Sequence, residues 1–327
     1  MDFIKKLSKN FIELTRMYAL PVTIAPCLVV WAFAHYCLEF SYLDYFLLVF
    51  ALCCVHLGAN LFDDYMDVKN KLKTVNFIEE ITFERFTLKA DLILKKVFSL
   101  KEVEVVMAIL FIPACIIGLY FAFKVSFLVS VFALLGGILI IFYPIAPKFY
   151  LGEMLIGTLY GPLLVNGGYY ALVGAFNYNL FLCSIAIFFS TIVLLYSDNI
   201  MDWEFDVKEN KKTLCILSKS KQNAIKQLRY IITISYLIIV FGVLSDCLNP
   251  NSLYVFLTLP VAVKLLKSLD DYINIKNVKF ESRWYWGMFE NWEKIKEAKI
   301  DFFMYRMYLA RNYVFFFALF LAIGTVV

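Results

Sequence analysis

An all-α polytopic membrane protein, with nine transmembrane helices around a central cavity, is what the sequence predicts. Three observations lead there. The 327 residues are 62% hydrophobic and only 18% charged, against about 25% charged in an average soluble chain. Apolar runs recur at about the 20 residues a helix needs to cross a bilayer. The basic residues fall on one side of those runs, as the positive-inside rule requires. An outer-membrane barrel would show short alternating segments instead.

The spans are expected near 17–38, 43–62, 103–122, 125–143, 152–174, 178–197, 230–248, 251–269 and 312–327. No cleavable signal peptide is expected. The first apolar run, after Lys5, Lys6 and Lys9, is long enough to stay as a span. With the N-terminus in the cytoplasm, every Lys and Arg except Lys124 falls on the cytoplasmic side. The expected location is therefore a membrane, a bacterial inner membrane, with the N-terminus and site loops in the cytoplasm. The eight cysteines show no CxxC spacing and read as small core residues. No nucleic-acid partner is expected. The partner the composition demands is the lipid bilayer.

The polar stretch 68–101 carries recurring hydrophobics and reads as a short amphipathic helix or lid on the membrane surface. The stretch 270–311, with Trp284, Tyr285, Trp286 and Trp292 among charges, reads as a similar interfacial segment.

Two acid runs organise the chain. Asn60, Asp63 and Asp67 stand at i, i+3, i+7 at the end of the second span, with Asp64 beside them. Asp198, Asp202 and Asp206 stand at i, i+4, i+8 at the end of the sixth, followed by Lys208, Lys211 and Lys212. Each set presents carboxylates from one helix face. A charged residue at membrane depth costs about 2.5–3.5 kcal/mol on insertion scales, so such acids face a wet cavity or bind cations. Hard oxygen ligands suit Mg²⁺, which is held by a few carboxylates plus substrate phosphates. The metal and the nearby lysines would make a diphosphate a better leaving group. The order of span, acid run, basic loop and span occurs twice. It predicts one domain over 1–327, with pseudo-repeats at about 10–143 and 152–269 and a final span. A cation transporter is the rival class, but transporters place such acids near the midplane at broken helices.

Asn60-Leu-Phe-Asp-Asp-Tyr-Met-Asp67 resembles the first aspartate-rich motif of the UbiA superfamily of intramembrane prenyltransferases. Asn199-Ile-Met-Asp202-Trp-Glu-Phe-Asp206, running on to Lys212, resembles the second. Arg16 to Pro26, Tyr143-Pro144 with Leu151-Gly152-Glu153, and Gly167-Gly168-Tyr169-Tyr170 resemble the branch that prenylates 1,4-dihydroxy-2-naphthoate in menaquinone synthesis. The resemblance implies Mg²⁺-dependent transfer of a polyprenyl group from its diphosphate to an aromatic ring that loses a carboxylate. It implies metal ligation by Asn60, Asp64 and Asp67 on one side and Asp202 and Asp206 on the other, with Asn199 nearby. Asp63 and Asp198 extend the expected ligand set. Asp64, Asp67, Asp202 and Asp206 are the expected catalytic acids. Arg16, Lys208, Lys211, Lys212, Tyr143 and Lys148 complete the expected substrate-binding set. Alternative acceptors are 4-hydroxybenzoate, a tetrapyrrole and a glycerol phosphate. Three positions depart from the family pattern: Asp63 stands in place of Asn, Lys71 in place of an acid, and Met201 in place of an arginine.

Tyr65, Tyr143, Tyr169 and Tyr196 are candidates for lining a prenyl tunnel. His56, one helical turn before Asn60, could face the cavity; the expectation is a packed histidine. His35 is read as structural.

Overall fold

The computed structural model describes residues 2–71, 91–274, 280–297 and 299–327. Among these residues the regular structure is entirely helical. The principal helices are α1 (Asp2–Leu14), α2 (Pro21–Ala34), α3 (Tyr42–Lys71), α4 (Leu100–Lys124), α5 (Leu128–Phe142) and α6 (Gly152–Thr158). They continue with α7 (Gly167–Val173), α8 (Tyr178–Met201), α9 (Trp203–Lys208), α10 (Lys221–Leu244), α11 (Leu259–Asn274) and α12 (Asp301–Val326).

Seven described helices are long and apolar enough to cross a membrane, and a bent pair at the N-terminus makes an eighth. The bend between Phe3–Ala19 and Pro21–Ala34 is 55°. It falls where Arg16 takes a left-handed backbone (φ 52°) and Pro21 restarts the helix at its first position. The span expected from 17 therefore contains a break, and its regular helix runs over Pro21–Ala34. The segment expected at 152–174 is not one regular helix. It runs through α6, a π-helical stretch Leu159–Asn166 containing Pro162, and α7. Gly161 lets this stretch approach α8 closely: a Cβ there would stand 2.5 Å from the Ser184 carbonyl oxygen.

The last helix starts at Asp301, so the expected boundary near 312 is too late. Three polar residues, Arg306, Arg311 and Asn312, hide its first turns from a hydropathy reading, yet all three are buried. The interfacial segment expected over 270–311 divides accordingly. Its beginning closes α11, its end opens α12, and between them lie the turn Trp284–Trp286 and the short helix Trp292–Glu297. Of the amphipathic segment expected over 68–101, the part from 72 to 90 lies outside the described residues.

Two apolar cores hold the bundle. The larger joins α2, α8, α10, α11 and α12; the smaller joins α1, α3 and α4 through Leu14, Leu57, Leu61, Tyr65, Val103 and Val106. Local signals start the helices where they start. Ser99 and Glu102 form a reciprocal cap on α4, and Ser220 caps α10. Lys124, the one basic residue expected on the far side, ends α4 and donates to Asp44 Oδ2 at 2.5 Å. Asp44 opens α3, and at 1.5 Å rise per residue it lies about 30 Å from Asp64. The exceptional cation is thus neutralised at the end of the bundle opposite the acid runs.

Candidate active site at the two acid runs

The first acid run forms the last turns of α3 and faces the break between α1 and α2. Asp64 is buried and ion-paired with the Arg16 guanidinium, whose Nη2 also stands 3.9 Å from Asp63. The left-handed backbone of Arg16 ends α1 and turns its side chain onto α3. Asn60 Nδ2 donates to the Thr15 carbonyl at 3.4 Å. Asp67 is half-buried one turn beyond. Tyr65 packs in the smaller core, and its hydroxyl donates to Glu104 on α4 at 2.7 Å.

The second run crosses the junction of α8 and α9. Asp202 ends one helix and starts the next, yet the ladder continues: Asp202 N donates to Asp198 O and Asp206 N to Asp202 O, both at 2.9 Å. Asp198, Asp202 and Asp206 therefore keep the one-face spacing the sequence predicts. Asp198 and Asp206 are buried, and Asp202 is half-buried. Lys211 Nζ lies 3.5 Å from Asp206 Oδ1 and over the Phe205 ring. Lys212 N donates to the Pro147 carbonyl at 2.7 Å. That bond ties the loop carrying Lys208, Lys211 and Lys212 to the turn Tyr143–Lys148. The turn holds Tyr143 half-buried and Lys148 exposed.

Glu153 is the residue sequence reasoning quoted but gave no role. It is fully buried on α6, and its Oε1 accepts from Asn199 Nδ2 at 2.7 Å and from Cys215 N at 3.4 Å. Its place in Leu151-Gly152-Glu153 was the available signal. Met201, standing where the family pattern has an arginine, points into the larger core. Its carbonyl accepts from the Tyr272 hydroxyl at 3.1 Å, and the buried Arg306 guanidinium lies 5.0 Å from the centre of the Tyr272 ring. A cation from the last helix thus stands behind the second run. The sequence does not show this, because Arg306 falls in the stretch 270–311 expected to be interfacial. Tyr196 is buried and donates to Gln227 at 2.6 Å; Tyr169 stands 3.5 Å from Cys37 Sγ. Both hold helices together.

The donors of both runs are carboxylate and amide oxygens, the ligand type Mg²⁺ takes. Among the described residues no group of three or more His, Cys, Asp or Glu stands close enough to hold a metal by itself. Arg16 and Lys211 supply positive charge to the acids instead. Mg²⁺ binds through one or two carboxylates plus substrate phosphates rather than an all-protein cage, so the residues fit that ion.

The described residues thus form a helical bundle of candidate membrane spans with two acid runs at helix ends and basic residues beside them. The model of the UbiA prenyltransferase family matches residues 23–288, and the chain belongs to that family. It is an integral membrane prenyltransferase. It is 26% identical over 260 residues to a Bacillus subtilis (strain 168) protein named 1,4-dihydroxy-2-naphthoate octaprenyltransferase, covering 78% of this chain and 80% of that one. It is 28% identical over 134 residues to the 2-carboxy-1,4-naphthoquinone phytyltransferase of Synechocystis sp. (strain ATCC 27184 / PCC 6803 / Kazusa), covering 40% of this chain and 43% of the relative. Its fold matches a UbiA homologue from Archaeoglobus fulgidus, solved with GPP and Mg²⁺, at TM-score 0.56 and 14% identity over 94% of this chain and 99% of that one. A digeranylgeranylglyceryl phosphate synthase structure matches at TM-score 0.58 and 18% identity, covering 100% and 99%. Family membership decides between transferase and transporter.

Proposed function

We propose that the chain transfers a polyprenyl group from its diphosphate to 1,4-dihydroxy-2-naphthoate, a step of menaquinone synthesis. The observation that carries this reading is the matched setting of the two acid runs. Each places partly buried carboxylates beside a cation from a neighbouring segment, Arg16 for one and Lys211 for the other. The names of the two curated relatives support a naphthoate-type ring as acceptor.

Asn60, Asp63, Asp64 and Asp67 on one side, and Asp198, Asn199, Asp202 and Asp206 on the other, would hold Mg²⁺. When bound, the ion supplies charge to the diphosphate and makes it a better leaving group. Arg16, Lys208, Lys211 and Lys212 hold diphosphate oxygens by charge-assisted hydrogen bonds. Tyr143 and Lys148 sit on the turn tied to Lys212, so the lysine loop and that turn keep one geometry. Glu153 fixes the Asn199 amide toward the second run. The ring is held against the allylic carbon, since near-attack positioning is worth about 7–11 kcal/mol. The allylic C–O bond breaks, the new C–C bond forms, and the ring carboxylate leaves as carbon dioxide.

The site loops face the cytoplasm in this reading, in a bacterial inner membrane. The one-sided Lys and Arg distribution, with Lys124 neutralised by Asp44, supports that orientation. The acid runs at the ends of α3 and α8 support a duplicated unit.

The test is mass spectrometry of products from the purified, Mg²⁺-supplied protein given labelled prenyl diphosphates with dihydroxynaphthoate or 4-hydroxybenzoate. Prenylated, decarboxylated naphthoquinol with release of carbon dioxide is expected. Turnover of another ring with dihydroxynaphthoate ignored would overturn the acceptor and leave the family standing.

A further inference from the structure

One buried polar group, His56 with Thr23 and Tyr160, has no part in the metal and diphosphate chemistry. On α3, His56, Asn60 and Asp64 stand at i, i+4, i+8 and share a face. All three turn toward the α1–α2 segment: Asp64 to Arg16, Asn60 to Thr15 and His56 to Thr23. His56 is one turn deeper than Asn60, about 6 Å along the helix. Its Nδ1 lies 2.6 Å from Thr23 Oγ1 and 2.6 Å from the Tyr160 hydroxyl. A Tyr160 hydroxyl that donates to Nδ1 puts the neutral imidazole's own proton on Nε2.

Nε2 is buried and finds no hydrogen-bond partner among the described residues. Buried donors are almost always satisfied, and the exceptions call for an explanation. A second feature marks the same spot. Tyr160 belongs to the π-helical stretch Leu159–Asn166. Such breaks give up regular helix bonding and occur frequently at functional sites. The sequence here keeps a costly backbone and a buried imidazole together, below the acid run.

We propose that His56 Nε2–H donates a hydrogen bond to a ring oxygen of the aromatic acceptor, with Tyr160 and Thr23 fixing its tautomer. This rests on the aromatic-acceptor reading above. A prenyl chain has no oxygen to accept that bond, and a diphosphate belongs with the charged groups one and two turns nearer the helix end. A phenolic or quinol oxygen satisfies the donor and orients the ring from the side away from the acids.

The chain has only two histidines, so ring nitrogens labelled with ¹⁵N give a simple spectrum. His35→Gln assigns the remaining signals; His35 sits near the far end of α2, bonded to the Trp31 carbonyl. In the full-length wild type, adding whichever of dihydroxynaphthoate and 4-hydroxybenzoate it turns over should move the His56 Nε2 signal. Inorganic diphosphate should not. In steady state, His56→Phe should raise KM for the ring roughly tenfold, with KM for the prenyl diphosphate unchanged. His56→Gln carries an N–H near the Nε2 position and should recover part of the loss. An unmoved Nε2 signal in an enzyme that turns over the ring would overturn the proposal and make His56 a packed, water-satisfied residue. Equal changes in both KM values would also overturn it. Absence of turnover with either ring would instead bring down the acceptor reading, and this inference with it.

Discussion

The first acid run ends a helix that packs in the smaller core, whereas the second crosses a helix junction in the larger one. Their supports differ accordingly. Asp64 is held by one buried ion pair, to an arginine set by a left-handed turn between α1 and α2. The second run is held by a mesh: the ladder through Asp202, the Glu153–Asn199 bond and the Lys212–Pro147 bond. Both runs have a cation beside them, but the pair at Asp64 is the more deeply buried, while the second run adds more hydrogen bonds to neighbouring elements. Equivalent substitutions should therefore separate activity from stability differently at the two places.

The largest expected effect tests that separation. Asp64→Asn and Asp202→Asn should each lower prenyl transfer by about 100-fold or more, because an amide cannot replace carboxylate charge. Asp64→Asn should also destabilise the more of the two, by about 3 kcal/mol, since it breaks the buried pair with Arg16 and leaves that guanidinium the more distant Asp63 at 3.9 Å. Thermal unfolding in detergent reads the difference. Equal melting losses in the two variants would remove the contrast drawn here.

Glu153 gives the next effect. Glu153→Leu should cut turnover by more than tenfold through loss of the acceptor that orients Asn199. Glu153→Gln keeps an oxygen in place and should lose only a few-fold. If Leu and Gln behave alike, Glu153 is packing and does not position the second run.

The same contrast explains what the sequence could and could not tell. Periodic acids on apolar helices are a local pattern, so both runs and their one-face spacing were legible. Most spans were legible for the same reason, since hydropathy sums over neighbours. The start of α12 was not, because Arg306 and Arg311 count as polar wherever they lie. Only tertiary contacts, Arg311 to Glu290 and to the Tyr18 and Met288 carbonyls, show them to be satisfied inside the bundle. The break in the segment 152–174 was not legible either, because a π stretch carries no hydropathy signature. Arg16 was quoted by resemblance, but its partner, 48 positions away on another helix, is a property of the fold.

The smallest expected effects come from the lysine loop, and they ask whether the two runs share the diphosphate equally. Lys211 lies beside Asp206, so its charge is partly committed to the protein. The Lys212 side chain is exposed, while its backbone N–H is tied to Pro147. An exposed charge acting through solvent is worth about 0–1 kcal/mol. Lys212→Ala should therefore raise KM for the prenyl diphosphate only about twofold to fivefold, and added salt should erase most of the difference. Lys211→Ala should show less salt dependence, because it also leaves the buried Asp206 without that neighbouring cation. Measuring both KM values at low and high salt checks this. If Lys212→Ala abolishes turnover at any salt, Lys212 supplies the dominant diphosphate contact, and the weak, salt-screened role given to it is wrong.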